Sequence, residues 1–96
     1  MIDLYVQQYL DYLASERGLS KATLSSYAVD LAQYASFITI KNKLDDFYSE
    51  DTIQAYRKSL MDDHLAITSI TRKVTSLRGF LRFLVNENIL KSIPED

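Results

Sequence analysis

The stretch TSITRKVTSLRGFLRFL, residues 68–84, sets Arg72, Lys73, Arg78 and Arg82 among five hydroxyl side chains and contains no acid. Cations interleaved with serines and threonines are the side-chain set that meets a polyphosphate backbone and base edges. Arginine can grip guanine bidentately, hydroxyls take base or phosphate, and flanking cations hold phosphates. The rest of the chain has the opposite balance. Residues 1–67 carry six cations against ten acids, whereas residues 68–91 carry five cations against Glu87 alone. A second hydroxyl-rich stretch, SKATLSSYAVDL, places Lys21, Thr23, Ser25 and Ser26 near a helix start. Free backbone N–H groups and the helix dipole favour a phosphate there.

Little else in the chain has chemistry at its disposal. The seven tyrosines fall mostly on apolar stripes, where core packing accounts for them. His64, the single histidine, stands beside Asp62 and Asp63 in a polar connection and reads as solvated, because a metal site needs more ligands than this cluster offers. With no cysteine, disulfides and thiolate metal sites are excluded, and a reducing cytoplasm is the natural setting. No metal or other cofactor is expected, and no convergent catalytic set is present.

The elements that must position the basic stretch are helices. Two glycines and one proline in 96 residues leave little punctuation, and apolar residues recur at helical rather than alternating spacing. The pattern predicts an all-α, compact four-helix bundle with helices at about 2–17, 20–40, 50–63 and 68–87. Gly18 is placed to stop the first helix, and Ser20, Ser49 and Thr68 to cap the next three. The expected stripes include Tyr9 and Leu13, Leu31 and Ile38, Ile53 and Tyr56, then Ile70, Val74, Leu77, Leu81, Leu84 and Val85. Opposite the last stripe lie Thr68, Ser69, Arg72, Thr75, Ser76 and Gly79, with Lys73, Arg78 and Arg82 on the flanks. Leu4, Phe37 and Phe83 fall off their stripes and suit a neighbouring protomer or packing under a loop. Asp30 reads as a surface or ion-pair residue. No apolar run approaches the ~18 residues of a membrane span, and no basic leader precedes the first helix.

The same residues carry a resemblance. YLDYLASERGLSKATLSSYAVDLAQYASFI resembles the opening of Xer-type tyrosine recombinases and phage integrases, with its RGLS turn followed by Thr23, Tyr27, Asp30 and Leu31. LAITSITRKVTSLRGFLRFLVNENIL is similar to that family's fourth helix, including Ser76-Leu77-Arg78 and Phe80 to Leu84. The resemblance implies a SAM-like core-binding domain over residues 1–90, with 91–96 beginning a linker to a C-terminal catalytic domain. It implies double-stranded DNA, that catalytic domain and other recombinase protomers as partners. The second and fourth helices would enter the major groove through Thr23, Ser25, Ser26, Thr68, Ser69, Arg72, Thr75 and Ser76. The family's tyrosine nucleophile and its assisting cations belong to the catalytic domain, so no cleavage is expected of this chain. The competing reading is an α-helical protein-interaction module whose acidic first two-thirds and basic fourth helix dock a partner.

Overall fold

The computed structural model describes residues 2–91. Four helices fold on one another within 36 × 29 × 25 Å: α1 (Ile2–Ser15), α2 (Lys21–Ile40), α3 (Glu50–Asp62) and α4 (Ile67–Asn86). A short 3-10 turn, Leu44–Asp46, lies between α2 and α3. Among the described residues there is no strand, and no helix is long and apolar enough to cross a membrane. The expected linker, 91–96, lies outside the described residues except for Lys91.

Capping explains most of the boundaries. Ser20 and Ser49 adopt extended backbone, and their hydroxyls accept the Thr23 and Thr52 amides at 3.2 Å. Gly18 takes a left-handed conformation just past α1. The other three helices end without glycine. Asn42, His64 and Asn88 supply the left-handed residue, and the next amides bond back to Ile38, Leu60 and Leu84. His64, expected to be merely solvated, therefore terminates α3. Thr68 does not cap α4: the cap is Ala66, with no side-chain bond, because the chain leaves the His64 turn early enough to start the helix at Ile67.

The core joins all four helices around Tyr34, Ile38, Ile53, Leu77, Phe80 and Leu84. Tyr34, Phe37 and Tyr56 form an aromatic cluster between α2 and α3, with the Tyr34 and Tyr56 rings 5.0 Å apart. The Tyr34 hydroxyl donates to the Phe47 carbonyl and ties the 3-10 segment to α2. Phe83, expected off the stripe, is buried instead between Tyr9 and Tyr12 of α1, at centroid distances of 5.2 and 5.1 Å. Val85, expected within the stripe, is only half-buried.

Candidate nucleic-acid interface

Packing of α2 against α4 sets the geometry of the hydroxyl and cation set, and its centre is a carboxylate. Asp30 has no solvent-exposed side-chain surface. It accepts Arg72 Nε and Nη2 at 3.1 and 3.0 Å, Lys73 Nζ at 2.9 Å and the Ser76 hydroxyl at 3.4 Å. Lys73 Nζ also donates to Gln33 Oε1 at 2.6 Å. Burial alone would raise the Asp30 carboxyl, but the hydrogen bonds from Arg72 and Lys73 outweigh it and hold the group below the usual carboxylate range. One buried acid thus faces two cations, so the cluster keeps a positive charge and Arg72 remains half-exposed.

This arrangement corrects the expected outer face. Lys73, expected on the flank, and Ser76, expected on the outer face, are both buried, because they belong to the 73, 76, 77, 80 spacing that α4 turns inward, where both bond Asp30 of α2. Arg78, expected on a flank, is mostly covered and pairs with Glu50 of α3 at 3.3 Å. The Gln54 and Arg78 hydrogen bonds lower the Glu50 carboxyl. Thr68, Arg72, Thr75 and Arg82 do stand exposed on α4, and Ser69 is half-buried. On α2, Lys21, Ser25 and Ser26 are exposed, while the Thr23 hydroxyl is engaged by the Ser20 cap at 3.0 Å.

One residue outside the expected DNA-facing set joins the surface. Arg17, in the turn after α1, is exposed and lines a groove together with Tyr27, Thr75 and Arg82. Its basic charge beside the RGLS turn was the available signal. Asp30, expected at the surface or in an ion pair, is an ion-pair residue of the interior; it falls in step with Tyr27, Leu31 and Tyr34, and that spacing marks an acid headed inward. Among the described residues, no group of three or more histidines, cysteines or acids could hold a metal ion.

A four-helix domain with this surface has a match among protein families. The family model for the phage integrase N-terminal SAM-like domain matches residues 6–88, and the chain belongs to that family. It is 35% identical over 91 residues to the tyrosine recombinase XerC of Pediococcus pentosaceus, covering 93% of this chain and 30% of that protein. The tyrosine recombinase XerD of Oceanobacillus iheyensis is 32% identical over 96 residues, 98% of this chain and 32% of that protein. XerD of Vibrio vulnificus is 32% identical over 90 residues, 94% of this chain and 30% of that protein. The chain therefore spans about a third of the length of the curated relatives it matches. No solved structure gives a significant match.

Proposed function

We propose that this chain is the DNA-gripping part of a site-specific tyrosine recombinase, holding one side of a duplex through the start of α2 and the exposed face of α4. The observation that carries the reading is the joint exposure of Lys21, Ser25 and Ser26 on α2 and of Thr68, Arg72, Thr75 and Arg82 on α4, two helices that pack together. Membership in the integrase N-terminal family supports it. Strand cleavage and rejoining belong, in this reading, to a catalytic domain in the part of the relatives that this chain does not span. That domain and other protomers bound on the same DNA are its partners, and the cytoplasm is its compartment.

Chemistry agrees with this division of labour. Burial raises the phenols of Tyr9, Tyr34 and Tyr56, which makes them poorer nucleophiles than an exposed tyrosine. A suicide duplex from the element's own recombination site should give no covalent adduct with this chain alone, and an adduct would overturn the assignment.

The direct test is fluorescence anisotropy on duplex DNA across a range of salt. Half a clamp with few phosphate contacts should bind with dissociation constants on the order of micromolar or weaker at physiological salt, and weaken steeply as salt rises. Binding indifferent to salt, or no binding to any duplex, would instead favour the protein-interaction reading of the same basic face.

A further inference from the structure

Between the turn after α1, the first half of α2 and the C-terminal half of α4 runs an open groove of about 370 Å³. Arg17 and Arg82 stand on its walls with Tyr27 and Thr75, and among the described residues the only acid lining it is Glu87. Neither arginine has an ion-pair partner among the described residues, in contrast to Arg72 and Arg78.

Tyr9 also lines the groove. Its ring is held against Phe80 and Phe83, and only 6% of the residue is exposed. Its hydroxyl nonetheless has no hydrogen-bond partner among the described residues. It lies against Gly79, where an added Cβ would come within 2.8 Å of the tyrosine oxygen. The absence of a side chain at Gly79 therefore makes room for the tyrosine hydroxyl, which lines the groove without a protein partner among the described residues. Burial foremost, and then Tyr27, raise the Tyr9 phenol, while Arg82 and Arg17 pull it down, so both cations act at that hydroxyl.

We propose that this groove seats one phosphodiester of a DNA backbone, with Arg17 and Arg82 as its cations and the Tyr9 hydroxyl as its neutral donor. The proposal rests on the duplex-binding reading and extends it to Arg17, Tyr9 and Gly79. The Tyr9 hydroxyl faces the groove with a free donor, and an anionic oxygen is the acceptor that a donor between two cations fits best. Thr75, which also lines the groove, can add a second hydroxyl.

The test measures duplex affinity across salt for the wild type, Arg17→Ala, Tyr9→Phe and Lys58→Ala, a cation removed from α3. Arg17→Ala should weaken binding to every duplex about three- to tenfold and reduce the salt slope by about one. Tyr9→Phe, which takes away only the oxygen and leaves the ring packing, should weaken binding about two- to fivefold with unchanged melting. Lys58→Ala should stay within about twofold, as a cation outside the interface should. If the wild type binds duplex and both groove variants bind equally well, the groove assignment falls and the duplex reading stands. If the wild type binds no duplex even at low salt, both fall together. Inorganic phosphate alone supplies the remaining arm. Should it shift the Gly79 amide resonance while Arg17→Ala leaves duplex affinity intact, the groove is a free-phosphate site and the proposal is wrong.

Discussion

Asp30 and Arg72 are 42 residues apart in the chain and meet through two parallel hydrogen bonds, Arg72 Nε to Oδ2 and Nη2 to Oδ1, at 3.1 and 3.0 Å. The pair locks α2 to α4, the two helices of the proposed DNA face. Its members are unequal, because the carboxylate is fully covered and the guanidinium is 52% exposed. Removing the acid leaves Lys73 buried without its counterion, and loss of one partner of a buried pair typically costs about 3–5 kcal/mol. Asp30→Ala should therefore destabilise the domain by about that much in urea unfolding. Arg72→Ala should cost far less, since Asp30 keeps Lys73 and Ser76 and the guanidinium is half-exposed. Equal losses for the two variants would contradict this asymmetry.

The same cluster sets the acid limb of stability. The Asp30 carboxyl is depressed in the folded state, so its contribution is complete above its ordinary value of about 3.9 and is lost as pH falls through the folded value. Glu50, depressed by Gln54 and Arg78, acts in the same direction. Wild-type stability should drop below about pH 4, and Asp30→Asn should show a flatter curve over that window. Parallel acid limbs for the two proteins would remove Asp30 from the account.

Alongside the other buried phenols, Tyr9 and Tyr34, Tyr56 contributes to the alkaline side. Burial, and then the charge of Asp30, push its phenol up to about 12. A phenol that must stay neutral to remain folded stabilises fully below its ordinary value of about 10, and that contribution is lost as pH rises through about 12. Its hydroxyl is also buried without a hydrogen-bond partner among the described residues. Tyr56→Phe should therefore gain about 1 kcal/mol at neutral pH and flatten the decline above about pH 10. A loss of stability at neutral pH would mean that the hydroxyl is satisfied.

Left-handed helix ends give a local prediction. His64 holds φ 62° after α3, a conformation that costs a residue with a Cβ about 1 kcal/mol and glycine almost nothing. His64→Gly should raise stability by about that amount, whereas Asn88→Gly should gain only a few tenths, because asparagine tolerates the region well. A lower melting temperature for His64→Gly would show that its side chain makes a contact worth more than the strain.

Helical periodicity made the bundle legible, since Leu31, Ile53, Leu77 and Leu84 repeat at the spacing of a buried stripe and the serine caps sit where they act. The interface was less legible, for a physical reason. Polar side chains on an amphipathic helix ordinarily mark its outer face, yet Asp30, Lys73 and Ser76 occupy inward positions and satisfy one another there. A lone acid or lysine in such a stripe reads as an error until its partner, about forty residues away, is known. Likewise, Gly79 next to the Tyr9 hydroxyl is a tertiary relationship with no trace in local spacing.

The pairing with Asp30 also sharpens what Arg72 can do on DNA. Its Nε and Nη2 are held by the carboxylate, which leaves Nη1 available on a side chain that is still half-exposed. A guanidinium fixed this way is aimed before DNA arrives and loses little freedom on binding, the condition under which an arginine discriminates between bases. Arg82 is exposed on the same helix and has no such buttress among the described residues, which suits a phosphate contact indifferent to sequence. Arg72→Ala should therefore cost roughly 1–3 kcal/mol on the cognate duplex and relax preference at one base position. Arg82→Ala should weaken cognate and scrambled duplexes alike and lower the salt slope by about one. Both duplexes are measured side by side for each variant at two or more salt concentrations. If Arg72→Ala weakens the cognate and scrambled duplexes by the same factor, Arg72 holds phosphate, and Asp30 aims it at the backbone rather than at a base.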